Sequence, residues 1–270
     1  MKAPYKVDLY DSAYSNYESE LYRQIRIETY GEDLGQTSWV TIEESDKIPK
    51  LLAAKPKSTV LEIGSGSGRY ALRFGANAGC KLVGLDINPH GIATANQLAR
   101  EMKLDSQVRF KECDVSKRLP FGGGSFDAAF ANDVLCHIPD RGRLLEELFR
   151  VLRPKGRLLF SDALVIGGLV SHEEIAIRSS IGLYVFSPPG ENERLIAAAG
   201  FHIQSVLDTS EEASVVATRW REARAARSAG LIAVEGEATF SGLQRFLDCV
   251  RALTSEKRLL RQVYVAQKPG

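Results

Sequence analysis

Short runs of apolar and β-branched residues recur along the chain, and between them lie longer stretches whose apolar positions fall three and four apart. The runs have the length of buried strands, about four to eight residues, and the stretches have the period of helices packed on one face. The alternation begins after Lys55-Pro-Lys-Ser58 and predicts strands at 58–63, 81–86, 108–114, 126–131, 157–161, 201–208 and 261–266. Helices are predicted between them at 67–78, 89–102, 140–152 and 188–199, with Pro89 in a first turn and Gly200 as a stop. Two more, 211–228 and 239–256, precede the last strand. Strands alternating with helices imply an α/β fold, a doubly wound and mostly parallel sheet covered on both faces.

Two stretches depart from this rhythm. The first 35 residues are rich in tyrosine, and Tyr10, Tyr14 and Tyr17 stand at i, i+4 and i+7, the spacing of one helical face. These rings pack an amphipathic helix on the domain or turn hydroxyls toward a substrate. Gly31-Glu-Asp-Leu-Gly35 stops that helix, and another spans 40–54, with Thr37 or Ser38 as its cap and Pro49 as a kink or break. The second departure is 163–187, which contains Gly167, Gly168 and Gly182 and a short helix at 172–181. An insertion after the fifth strand lies on the rim where open α/β sheets bind ligands, so it reads as a substrate-side wall.

At 270 residues the chain has room for one large α/β domain with additions. A net charge of +1 argues against nucleic acid or a membrane surface as partner. No apolar stretch approaches the roughly 20 residues that span a bilayer, and the N-terminus lacks the apolar core of a secretory signal. Cys80, Cys113, Cys136 and Cys249 are far apart, and His90, His137, His172 and His202 form no pair at metal-ligand spacing. No metal site is expected, and the cysteine pattern fits a reducing cytoplasm.

The chemistry concentrates at Val60-Leu-Glu-Ile-Gly-Ser-Gly-Ser-Gly68, a buried strand, a tight glycine turn and a helix N-terminus. The spacing is G-x-G-x-G rather than the dinucleotide G-x-G-x-x-G, and Glu62 precedes it. A carboxylate there repels a pyrophosphate and suits a ligand with an ammonium group. Asp86, followed by Ile87, ends the second strand, where an acid accepts hydrogen bonds from ribose hydroxyls. Asp114 ends the third strand within reach of an adenine amino group, with Val115 beside it to pack on the ring; alternatively Asp114 caps the following turn. Asp162, at the end of the fifth strand, reads equally as turn former or pocket wall. His137 follows the fourth strand on the substrate side and titrates near neutrality, which suits a base. Cys136 beside it reads as a buried thiol.

The glycine motif resembles the E/D-x-G-x-G-x-G loop of class I S-adenosylmethionine (SAM) methyltransferases. The resemblance covers residues 58–208 and the last strand; it includes Gly124-Ser-Phe-Asp-Ala-Ala-Phe-Ala-Asn-Asp-Val-Leu-Cys-His-Ile-Pro139 and Leu152-Arg-Pro-Lys-Gly-Arg-Leu158, where Lys155 replaces a family glycine. It implies a Rossmann-like seven-stranded sheet with an antiparallel last strand. It further implies SAM as cofactor, with S-adenosylhomocysteine as product. Glu62, Gly64, Ser65, Gly66 and Gly68 would flank the methionine part, Asp86 and Ile87 the ribose, and Asp114 and Val115 the adenine. Asn132 would lie beneath the sulfonium. Within the family the chain looks most like small-molecule enzymes such as phosphoethanolamine methyltransferases. In those a histidine at the place of His137 pairs with an N-terminal tyrosine. Tyr17 is nearest in spacing, with Tyr10, Tyr14 and Tyr22 as alternatives, and Gln36 and Trp39 match the cofactor-covering loop.

The expected organisation is therefore one domain over 1–270: a helical lid at 1–54, a SAM-binding core at 55–162, the insertion at 163–187, and at 188–270 the rest of the sheet with a helical insertion. The expected reaction is methyl transfer to an amine nitrogen or hydroxyl oxygen of a small molecule, by a monomer or homodimer. The alternatives are a SAM-pocket protein with a non-methyl reaction such as a cyclisation, or with a binding role, a nicotinamide-dependent oxidoreductase, and a macromolecular substrate.

Overall fold

The computed structural model describes residue 7, residues 9–35 and residues 37–270. Seven strands form one sheet in the order β3-β2-β1-β4-β5-β7-β6: β1 (Thr59–Ile63), β2 (Lys81–Asp86), β3 (Val108–Glu112), β4 (Phe126–Ala131), β5 (Leu152–Ile166), β6 (His202–Asp208) and β7 (Leu259–Gln267). β1 pairs parallel with β2 and β4, while β7 runs antiparallel between β5 and β6. The doubly wound sheet with an antiparallel last strand is thus as the sequence implied.

The helices are α1 (Tyr10–Ser15), α2 (Glu20–Tyr30), α3 (Ile42–Leu51), α4 (Arg69–Ala78), α5 (Pro89–Glu101), α6 (Arg141–Val151), α7 (His172–Arg178), α8 (Glu191–Ala198), α9 (Ser210–Ala225), α10 (Ser228–Glu235) and α11 (Glu237–Ser255). Side chains alternate across the central strands. Leu61 and Ile63 of β1 join the core under α6 and α8, while Val60 joins the core under α4 and α5. Glu62 therefore lies on the second face, and it is buried there.

A third core decides how the site is covered. Tyr22, Ile25 and Tyr30 of α2 bury themselves with Trp39 against Trp220 of α9 and Phe246 of α11. The N-terminal segment thus packs on the C-terminal helices. Among the described residues no helix is long and apolar enough to cross a membrane.

Several local expectations change. α3 begins at Ile42 with Thr41 as its cap, accepting the Glu44 N–H at 3.2 Å, rather than Thr37 or Ser38. The approach stays extended because the Trp39 N–H donates to the Asp133 carboxylate at 2.8 Å. Pro49 sits in the last turn without breaking it, since the Leu52 N–H still closes on the Ile48 carbonyl. The helix of the insertion ends at Arg178, and α10 fills a stretch read as a connection; only Leu231 in it is buried, which leaves little periodic signal. β3 ends at Glu112, so Asp114 stands just beyond it.

Asp162 is neither a turn former nor a cavity wall. β5 runs on to Ile166, paired with β7, and Asp162 is fully enclosed within it. Its carboxylate pairs with Arg141 at 2.6 Å and accepts from Asn192 at 2.8 Å and from the Leu164 N–H at 2.9 Å. Arg141 also donates to the Val185 carbonyl at 2.9 Å, so the network joins α6, α8 and the insertion. Removing one member of a buried pair leaves an uncompensated charge. Arg141→Met is therefore expected to lower unfolding free energy by about 3–5 kcal/mol, read by urea denaturation; a change below 1 kcal/mol would contradict this role.

Candidate active site

The strand order reverses between β1 and β4, and a cavity of about 820 Å3 opens beyond the carboxyl ends of these strands. That lies within the roughly 300–1,000 Å3 of small-molecule sites. The end of β1, through Glu62, and the loop after it, through Gly64, Ser65 and Gly66, form one wall. Gly66 has a left-handed φ of +50°, and a Cβ there would run into the Tyr14 hydroxyl, so only glycine lets the loop and α1 approach this closely. Gly68 stands apart from the cavity lining. It is the N-cap of α4 at φ +79°, and a Cβ on it would come within 2.6 Å of Ala95 and Phe110, so its service is to helix–sheet packing.

Asp86 and Ile87 line the cavity at the end of β2. The Asp86 oxygens accept the Gly66 N–H and the Asn88 N–H, each at 2.8 Å, which ties the glycine loop to the second strand. Burial pushes the Asp86 carboxyl up, against the pull of those N–H groups. Asp114 and Val115 also line the cavity. Asp114 accepts from the Ser116 hydroxyl at 2.6 Å and pairs with Lys117 at 3.2 Å; these hold its pKa down, the hydroxyl foremost.

Three buried polar groups at this wall lack partners among the described residues: Glu62 Oε2, Ser65 Oγ and both amide atoms of Asn132. Burial, reinforced by Asp86, raises the Glu62 pKa well above the ordinary carboxylate range. An unsatisfied buried polar group costs roughly 1–3 kcal/mol, so this wall is built to be completed by a polar ligand. A molecule bearing ammonium, carboxylate and ribose hydroxyls fits that set; SAM has these groups, and Glu62, Ser65, Asp86 and Asn132 would hold it.

His137 stands across the cavity in a short 3-10 turn, Leu135–His137, after β4. Its Nδ1 meets the Leu183 carbonyl at 2.9 Å and its Nε2 meets the Tyr10 hydroxyl at 2.9 Å. A carbonyl only accepts, so Nδ1 carries the proton and Nε2 accepts from Tyr10. Burial lowers the His137 pKa below 6.5, with the Leu183 carbonyl opposing. The tyrosine in contact with His137 is thus Tyr10. Tyr17 lies elsewhere: its hydroxyl accepts from Arg69, the Arg26 guanidinium lies 4.6 Å from its ring centre, and it does not line the main cavity. The reason is the break between α1 and α2, which ends the helical face before residue 17. Trp39 lines the cavity and stacks on Phe246 at 6.2 Å, while Gln36 lies outside the described residues.

Asp11, Arg178 and Tyr184, which no sequence motif marks, also line the cavity. Asp11 accepts from the Asn88 side chain at 2.7 Å, fastening α1 to the loop after β2. Neither it nor the residues of the insertion sit in a local motif; only the fold brings them here.

Residues 61–160 match the family described as a methyltransferase domain. The chain is 29% identical to 27-O-demethylrifamycin SV methyltransferase of Amycolatopsis mediterranei (strain S699), over 67% of this chain and 71% of that one. It spans about half the length of several other curated relatives that it matches. Among solved structures, phosphoethanolamine N-methyltransferase 2 of Haemonchus contortus, in complex with phosphomonomethylethanolamine and S-adenosylhomocysteine, aligns with a TM-score of 0.80 at 20% identity, covering 97% of this chain and 60% of that one. The [4+2]-cyclase SpnF aligns with a TM-score of 0.73 at 22% identity, covering 98% and 99%. At these identities the two structures speak to the fold.

Proposed function

We propose that this chain, whose residues 61–160 match a methyltransferase domain, is a class I SAM-dependent methyltransferase that methylates an amine nitrogen or hydroxyl oxygen of a small molecule. The observation that carries the reading is the row of unpartnered buried groups, Glu62, Ser65 and Asn132, beside a glycine loop tied to Asp86. In this reading Glu62 takes the ammonium of the cofactor, Asp86 its ribose hydroxyls, and Asp114 with Val115 its adenine. Trp39 closes the wall between cofactor and solvent. Asp86 can do this while holding Gly66 and Asn88, because a carboxylate has about four acceptor sites.

When bound, SAM supplies an electrophilic methyl on a good leaving group. The protein has then to align a nucleophile, exclude water and remove one proton. His137 is suited to the last task. Its tautomer is set by Leu183, its lone pair is on Nε2, and burial keeps it neutral. An acceptor hydrogen-bonded to the Tyr10 oxygen passes its proton there while the Tyr10 proton moves to Nε2, so the tyrosine need never become a free phenolate. Burial raises the Tyr10 pKa well above its ordinary value, in keeping with a relay.

The test of the reaction is incubation with SAM and pooled metabolites, following S-adenosylhomocysteine and a mass gain of one methyl. Acceptor-dependent formation of both supports it; bound SAM with neither product would favour a non-methyl role. A second comparison separates the tyrosines. Tyr10→Phe is expected to lower kcat by about 10²-fold, while Tyr17→Phe leaves kcat unchanged; equal losses would remove Tyr10 from the relay.

A further inference from the structure

The cavity contains a cation that the cofactor groups do not use. Arg178, the last residue of α7, lines the cavity and is only 1% exposed. The other arginines buried this deeply, Arg141, Arg224 and Arg261, each meet a carboxylate. Arg178 instead lies among rings: its guanidinium carbon is 4.9 Å from the Tyr184 ring centre, 5.0 Å from that of Phe246 and 5.6 Å from that of Trp39. Among the described residues its Nη1 has no hydrogen-bond partner. Guanidinium does not shed its proton, and the cation–π contacts and a hydrogen bond to the Tyr184 side chain offset only part of the cost of burying it. No carboxylate among the described residues balances the charge.

Its position says which ligand. The Tyr184 ring is 4.5 Å from the His137 ring, so Arg178 and His137 flank one tyrosine, on the acceptor side of the cavity. We propose that Arg178 binds a carboxylate of the acceptor, and that the acceptor is a small amino or hydroxy acid whose nucleophile reaches Tyr10 and His137. This rests on the methyltransferase reading above. A carboxylate fits better than a phosphate ester because Arg178 is the one lysine or arginine among the described lining residues, and one positive charge balances one negative charge.

The experiment uses the full chain loaded with S-adenosylhomocysteine, whose own affinity is measured first in wild type, Arg178→Met and Arg178→Lys. Failure to bind it would defeat the methyltransferase reading, apart from this inference. The loaded proteins are then screened by thermal shift against small carboxylic acids paired with their primary amides, with phosphate monoesters as a third set. Hits are titrated by calorimetry. The expected result is at least a tenfold preference for acid over amide in wild type. The preference should vanish in Arg178→Met and partly return in Arg178→Lys, with S-adenosylhomocysteine affinity unchanged throughout. Acids and amides binding alike, acid binding that survives Arg178→Met, no acid hit, or hits confined to phosphate esters would overturn the proposal.

Discussion

His137→Ala is expected to lower kcat by about 10²–10⁴ while SAM affinity stays within a few-fold of wild type. The imidazole stands across the cavity from the glycine loop and Asp86, and its two hydrogen bonds go to Leu183 and Tyr10, neither of them in that loop. Calorimetric SAM binding beside steady-state kinetics separates the effects, and a parallel fall in both would make His137 a structural or cofactor-binding group. The pH profile adds a check with a definite sign. Burial lowers the His137 pKa below 6.5, so the neutral, proton-accepting form prevails at pH 7. kcat should be level from neutrality upward and fall tenfold per pH unit below a midpoint under 6.5. Linkage has the same sign: the folded protein resists charging this ring, so its contribution to stability is present above the unfolded value and is lost as pH drops from about 6.5. A midpoint above 7 would exclude His137 as the base.

Asp86→Ala should weaken SAM binding by roughly 2–4 kcal/mol, the value of two charge-assisted hydrogen bonds, or about 30- to 1,000-fold in Kd. The carboxylate also holds the Gly66 and Asn88 N–H groups, so its loss frees the glycine loop as well as the ribose contact. Asp86→Asn separates the two. An amide oxygen still accepts from one N–H, so a milder loss is expected with the loop largely kept. Titration of both variants with S-adenosylhomocysteine measures this, and wild-type affinity in Asp86→Ala would remove the residue from the cofactor site.

Much of this architecture is legible along the chain because it is local. A buried strand, a glycine turn and a helix start are fixed by neighbours a few residues away, and 58–63, 81–86 and 126–131 each contain or coincide with the observed strand. Glu62, Asp86 and Asn132 were reachable for the same reason: each follows from its place on a strand or just past one, and the fold brings such places together at the switch point. The boundaries that shifted were set from outside the segment. Thr41 became the cap because Asp133 holds Trp39 extended, and β5 outran its apolar run because β7 pairs with it to Ile166.

Periodicity and spacing among adjacent residues set the strands, the glycine loop and the acids beside it. Tertiary structure alone decided which tyrosine meets His137, what encloses Asp162, and that Arg178 faces the cavity among three rings without a carboxylate. Those outcomes depend on contacts between segments far apart in the chain, Tyr10 with His137 and Arg178 with Phe246, and no local pattern encodes the burial and charge balance that such contacts create.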